Sequence, residues 1–234
     1  MTEIILRSNQ LKFHKETFEK TTEDRRQKVL EVAIDAFALN GYNATSINDI
    51  AKKAGISIGA MYSYFASKED LFLTIINNAY FLMEEILNEV KESSRDIYDC
   101  VERMLSASRE FSFQYPKLNQ LYLDLTTQAL APLAVRLSSK LERITPRMLC
   151  DFIKAGVEEG IVNDKADKSV MAYCIDNIFM LYQFSLSSDY YKERLKIFIG
   201  EEKVSEVKDL EKGIVSFIRA ALEVKKVNEI NILQ

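Results

Sequence analysis

The chain has 234 residues, 47% of them apolar, which is enough to fill a buried core and excludes disorder as its overall state. Seven glycines and three prolines are too few to punctuate an all-β chain, so helices are expected throughout. The net charge of −4 argues against coating nucleic acid by bulk positive charge, but residues 1–76 balance 10 Lys/Arg against 10 Asp/Glu, and a neutral head with an acidic body suits binding at a local site.

Residues 1–22 read as an extension whose Leu6, Leu11, Phe13 and Phe18 make at most a weak helical face, with no clear cap. Packing on the head, reaching a minor groove and simple solvation all stay open for it. It carries Arg7, Lys12, Lys15 and Lys20 and has no apolar run of signal-peptide length. The most apolar later stretch, Met171 to Leu186, contains Asp176, Asn177 and Gln183 and falls short of the ~20 residues that span a bilayer. Cys100, Cys150 and Cys174 are odd in number and far apart, which suits buried thiols in a reducing compartment rather than a disulfide framework. A cytoplasmic protein with no membrane partner is expected.

The first convincing helix spans about 22–39, because Leu30, Ala33, Ile34 and Phe37 line one face and Glu23 and Asp24 sit at its positive end. Asn40-Gly41 ends it in the manner of a C-cap. A second helix starts at Ser46, with Asp49 three residues on as a near-variant of the capping box. Gly55 makes a turn, Ser57 caps a third helix over Ile58 to Tyr64, and Ser67 caps a long fourth helix reaching about Lys91. Further amphipathic helices are expected at about 96–114, 117–128, 130–159, 167–186, 188–199 and 204–226. Pro116, Gly160, Asn163-Asp164 and Gly200 supply the breaks, and Pro146 should kink or split the third of these.

A short helix, a tight turn at glycine and a second serine-capped helix form the arrangement that projects the second helix into the major groove. The wording is specific as well. Arg25 to Asp70, RRQKVLEVAIDAFALNGYNATSINDIAKKAGISIGAMYSYFASKED, strongly resembles the TetR/AcrR family of bacterial regulators. The matching elements are Phe37, Gly41-Tyr42, Ala44-Thr45-Ser46, Ile50-Ala51, Ala54-Gly55-Ile56-Ser57, Gly59, Tyr62, Tyr64-Phe65 and Ser67-Lys68-Glu69. The resemblance implies that the third helix lies in the major groove, with Ser57, Ile58, Gly59, Ala60, Tyr62 and Ser63 facing DNA. Thr45 and Ser46 offer hydroxyls and helix-start amides to phosphate, Tyr62 a phenol and Lys68 a cation. Gly59 lets backbone approach the bases closely, or merely relieves crowding. Family members often carry a basic residue where this chain has Ile58, and Ile58 to Tyr64 holds no Arg, Lys, Asn or Gln for bidentate base contacts. Thymine-methyl contacts from Ile58 or Ala60 and readout of DNA shape would then carry recognition. Phe37, Ile47, Ile50, Met61 and Phe65 have the spacing of the mini-core that holds the three helices together.

The expected architecture is all-α: an extension at 1–22, a three-helix DNA-binding domain at 23–83 with its helix-turn-helix at about 46–65, and a helical effector-binding and dimerisation domain at 84–234. Ser169 to Ser187 is apolar nearly all round, which calls for its own core on one side and a second subunit on the other. Together with the last helix it resembles the two-helix dimer face of these regulators, and Tyr173, Met180, Phe184, Leu210, Ile214 and Phe217 are the interface candidates. The family encloses a small effector among the preceding helices, which makes Met104, Phe111, Tyr122, Asp124, Met148, Phe152, Asp176, Phe179 and Gln183 the candidates for a partly apolar effector, although ordinary core explains each singly.

Enzyme chemistry finds little support. His14 is the sole histidine, no glycine-rich phosphate loop occurs, and the cysteines lack metal-ligand spacing, so neither metal nor cofactor is expected. A helical scaffold or storage protein is opposed only by the helix-turn-helix wording. The expected function is a homodimeric repressor that sets two recognition helices on a pseudo-palindromic double-stranded operator and is released by a small effector.

Overall fold

The computed structural model describes residues 12–141, 144–204 and 206–224. Among them the helices are α1 (Glu16–Glu19), α2 (Glu23–Ala44), α3 (Ile47–Lys53), α4 (Ile58–Tyr64), α5 (Lys68–Ser93), α6 (Ile97–Gln114), α7 (Pro116–Leu125) and α8 (Ala131–Leu141). They continue as α9 (Ile144–Glu158), α10 (Lys168–Ser187), α11 (Asp189–Ile199), α12 (Glu201–Val204) and α13 (Val207–Leu222). The all-α expectation holds. Within α2, Gly41 sits at φ 74° and ψ 165°, a region essentially closed to residues with a Cβ, and breaks the helix where the Asn-Gly pair calls for a stop. The stretch expected at 130–159 is two helices. Pro146 is the third residue of α9, where a missing N–H leaves no helical bond unmade.

Packing sorts the chain into two units that ignore the sequence boundary expected at 83/84. One forms within Met1–Ile86 and Phe111–Arg143, the other within Leu87–Glu110 and Ile144–Gln234. The physical reason is the leucine stripe of α7. Leu118, Leu121 and Leu125 join Leu30, Ile34 and Phe37 of α2 and Leu71, Phe72, Ile75 and Ile76 of α5 in one buried core. α7 therefore packs along α2, with Lys117 Nζ 2.7 Å from the Asp35 carboxylate at the edge of the contact. Phe37 and Tyr42 both present their rings edgewise to Phe72, at centroid distances of 5.2 and 5.0 Å. Arg136 of α8 pairs with Glu69 at the start of α5.

In the second unit α10 packs against α9 and α11, burying Met171, Ala172, Ile175, Phe179, Tyr182 and Phe184. The 160–163 turn closes on the end of α13: Asn163 N–H and Nδ2 both donate to Leu222 O at 2.7 Å, capping carbonyls the helix leaves open. A polar triad ties three helices together. Arg109 Nε of α6 donates to Glu211 Oε1 of α13 at 2.8 Å, and Tyr182 OH of α10 donates to the same oxygen at 2.6 Å. Burial and the Glu211 carboxylate push the Tyr182 phenol well above the ordinary tyrosine range. The thiols are not uniformly buried as expected: Cys100 is buried, Cys150 half-buried and Cys174 exposed, because Cys174 lies on the outer side of α10. No helix among the described residues is long and apolar enough to cross a membrane.

Because the triad is mostly enclosed, Glu211→Ala should strand the Arg109 guanidinium and lower stability by about 2–3 kcal/mol, while Tyr182→Phe should cost about 1 kcal/mol. Urea midpoints at constant m-value check both.

Candidate nucleic-acid interface

The pair α3 and α4 is joined by Ala54 to Ser57. Gly55 takes φ +72°, which lets its N–H reach Lys52 O at 3.2 Å while Ile56 N–H reaches Ala51 O at 3.0 Å. These two bonds are those of a Schellman stop, and they set the angle at which the chain re-enters α4. Ser57 then caps α4, its Oγ accepting from Ala60 N–H at 3.0 Å. The seven residues of α4 divide cleanly. Met61, Tyr64 and the following Phe65 are buried with Phe37, Ile47 and Ile50 in the expected mini-core. Ser57, Gly59 and Ser63 face solvent with Ile58 and Tyr62, which are 50% and 43% exposed, and Ala60 lies half-buried between the faces. Ile58 and Tyr62 stand one turn apart, so an apolar group and a phenol form a single outward patch.

Gly59 lies in that patch with open space around it. A Cβ added there would meet nothing nearer than Ser57 Oγ at 3.9 Å, and its φ is helical. There is no internal crowding at this position for the glycine to relieve.

Two residues expected to hold phosphate are committed elsewhere. Thr45 is 5% exposed, and its hydroxyl donates to Ala36 O at 3.0 Å and Gly41 O at 2.7 Å, so it closes the broken end of α2. Lys68 Nζ donates to Tyr42 O at 2.8 Å, Asn43 O at 3.2 Å and Thr45 O at 3.0 Å, with the Tyr42 ring 4.5 Å below it. All three ammonium donors are used, and burial pulls the Lys68 pKa below the ordinary lysine value. Lys68 thereby staples the α2–α3 connection to α5, while Thr45 closes the end of α2. The Ser46–Asp49 capping box does not form either: Ser46 makes no side-chain cap bond, which leaves its hydroxyl outside the cap. Over residues 45–65 the only cations are Lys52 and Lys53, both exposed on the last turn of α3.

The extension supplies contacts that its composition did not announce. Lys15, Thr17 and Phe18 lie against the end of α4, and Phe18 is fully buried with its ring 4.7 Å from that of Phe65 and 5.3 Å from that of Tyr64. Phe18 belonged to the weak apolar face that the sequence offered for this segment. Leu6 and Leu11 lie outside the described residues.

The bacterial regulatory protein family named tetR matches residues 29–75, the span of α2 to the first turns of α5. The HTH-type transcriptional regulator YhgD of Bacillus subtilis is 30% identical over 138 residues, 59% of this chain and 70% of that one. The chain belongs to the tetR family of bacterial regulatory proteins. It is a DNA-binding transcriptional regulator. The HTH-type transcriptional repressor KstR2 of Mycobacterium tuberculosis is 25% identical over 143 residues, covering 61% of this chain and 72% of the repressor. The crystal structure of FadR from Bacillus subtilis in complex with stearoyl-CoA shares the fold, with TM-score 0.66 and 16% identity, over 83% of this chain and 97% of that one.

Within the tetR architecture the candidates for the effector fall into both packing units. Phe111 is buried and Tyr122 and Asp124 half-buried in the first; Met104, Met148 and Phe179 are buried and Phe152, Asp176 and Gln183 half-buried in the second. Tyr122 sets its ring edge-on to Tyr80 at 6.1 Å. Asp124 accepts from Gln120 Nε2 at 2.9 Å, and burial raises its pKa above the usual carboxylate value. None of the nine lines either of two clefts found among the described residues. These clefts, of ≈ 470 and ≈ 660 Å³, lie along α10 and α13 and share Ile178 and Phe217. That is the face expected to meet a second subunit: Tyr173 is 68% and Phe217 66% exposed, with Met180, Leu210 and Ile214 half-buried. Phe184 departs from the expectation. It is 2% exposed with its ring 5.6 Å from that of Tyr191, so it fills the α10–α11 contact within its own chain.

Gly59→Ala should leave the fold unharmed or stabilise it by about 0.5–1 kcal/mol through helix propensity, yet weaken operator binding at least tenfold; thermal melts and a binding isotherm separate the two effects. Lys68→Ala should do the reverse, lowering stability by about 1–3 kcal/mol for the carbonyls it deserts while leaving the salt slope of DNA binding unchanged.

Proposed function

We propose that the protein is a homodimeric repressor in which the exposed face of α4 enters the major groove of a pseudo-palindromic operator and a partly apolar small molecule releases it. The observation that carries this reading is the outward patch of Ile58, Gly59 and Tyr62 on a helix whose opposite face is locked into the core. Those residues do not fill their own fold, and Gly59 clears space for a surface beyond it. Ile58 and Ala60 suit thymine methyls, Ser57 and the Tyr62 phenol suit base edges or phosphate oxygens, and Ser63, whose hydroxyl donates to Ala60 O at 2.7 Å, keeps an acceptor for a base-edge amino group. Ser46 stays available to phosphate, and the positive charge comes from Lys52 and Lys53 rather than Lys68. Two heads related by a two-fold axis would address half-sites one helical turn apart, about 34–36 Å.

The repressor KstR2 supports the sign of the control, and FadR, solved with stearoyl-CoA, supports the class of effector to try first, a long-chain acyl thioester. Release needs an effector with unequal affinity for two conformers. The α2–α7 contact is where such a difference would reach the head, because α7 shares its leucines with the helix that carries α3 and α4. Exposed Tyr173, Leu181 and Phe217 give α10 and α13 the apolar surface for a four-helix dimer contact.

Fluorescence anisotropy against the DNA upstream of its own coding sequence, with a scrambled control at two salt concentrations, tests the function. Preferential, salt-sensitive binding at two protomers per site is expected. Tyr62→Phe should lower affinity for both DNAs if the phenol holds phosphate. Absence of binding to any DNA at low salt would defeat the reading.

A further inference from the structure

The recognition helix has only two turns, and a helix that short leaves most of its terminal backbone groups without intrahelical partners. Ser57 closes the amide end. At the carbonyl end Phe65 N–H reaches Met61 O at 3.0 Å, and the next three carbonyls are taken by a segment some 46 residues earlier in the chain. Lys15 Nζ donates to Tyr62 O at 2.8 Å, the Thr17 hydroxyl donates to Ser63 O, and Lys15 N–H donates to Tyr64 O at 2.8 Å. The Lys15 ammonium thus sits at the negative end of the helix dipole, where a cation is favoured.

The segment is itself anchored. Phe18 is fully buried between Tyr64 and Phe65, and the Thr21 hydroxyl lies 3.4 Å from Tyr64 OH. Arg26 of α2 ties it down, donating from Nη1 to Glu19 O at 2.7 Å and to Thr21 O at 2.6 Å. On the other side Glu19 receives Lys12 Nζ at 2.7 Å and lies 3.0 Å from His14 Nε2. Of the three residues whose carbonyls are held, Tyr62 and Ser63 point their side chains outward and Tyr64 is buried.

We infer that residues 12–22 are a strap that completes the recognition helix, with Lys15 and Thr17 as positioning residues that fix how Tyr62 and Ser63 are presented to DNA. The strap acts on recognition without itself reading the operator. This rests on α4 being the DNA-reading helix. Loosening the last turn would spread Tyr62 and Ser63 over several orientations, which penalises a matched operator more than random DNA.

The test uses the full chain carrying Lys15→Met and Thr17→Val together, which removes both side-chain caps but keeps Phe18 and the Lys15 backbone bond. Operator affinity should fall by roughly tenfold, the scale of two lost hydrogen bonds, with scrambled-DNA binding, the salt slope and dimer state unchanged. Amide exchange at residues 61–65 of the free protein should speed up. Restoring the donors with Lys15→Arg and Thr17→Ser in the same positions should recover affinity. Unchanged operator affinity or unchanged exchange in the double variant would overturn the strap's role. So would an equal loss on both DNAs with the salt slope reduced by about one, since Lys15 would then be a phosphate contact. If Tyr62→Phe and Gly59→Ala still weaken operator binding while the double variant does not, the strap inference fails and the DNA-reading face stands.

Discussion

A helix of two turns has no stability of its own in water, and the proposed reading of DNA by α4 depends on holding such a helix still. Met61, Tyr64 and Phe65 bury one side of α4, the Gly55 stop sets its entry and Ser57 closes its first turn. These constraints free the opposite side. Because the core-facing residues of α4 anchor it, Ile58, Gly59 and Tyr62 can be spent on a surface that contributes nothing to folding. Ile58 and Tyr62, one turn apart and about half exposed, form that outer side while Met61 and Tyr64 between and beside them are buried.

The same logic extends from α4 to the rest of the head. Lys68 uses three carbonyls to hold the α2–α3 connection against α5, and Thr45 closes the broken end of α2. α7 then lays its leucines on α2, so a helix far along the chain shares one buried core with α4. Close-packed cores shift between discrete arrangements rather than deform smoothly. A displacement of α7 would therefore be felt at α2, and through α2 at α3 and α4, without any contact between effector and DNA.

Much of this was legible in the sequence. The helix periods placed nearly every element, Gly41 and Gly55 stood where positive φ is needed, and the spacing of Phe37, Ile47, Ile50, Met61 and Phe65 gave the mini-core. The misses share a cause: a side chain's type does not say which partner reaches it first. Lys68 looked like a phosphate cation and Thr45 like a phosphate hydroxyl, but carbonyls left open by the break at Gly41 lay closer. Phe184 sat in an all-round apolar stretch and turned inward because α11 folds back over it. Lys15 and Thr17 were invisible because their partners are backbone carbonyls some 46 residues away, which leave no trace in composition or period.

Whether the outer face of α4 occupies the major groove, as proposed, can be read from a methylation-protection footprint on the operator. Guanine N7 lies in the major groove and adenine N3 in the minor groove, so dimethyl sulfate reports on each separately. Two clusters of protected guanine N7 positions are expected on one face of the duplex, centred about 10–10.5 base pairs apart, with adenine N3 left reactive between them. Protection confined to adenine N3, or spread evenly without that spacing, would contradict that placement.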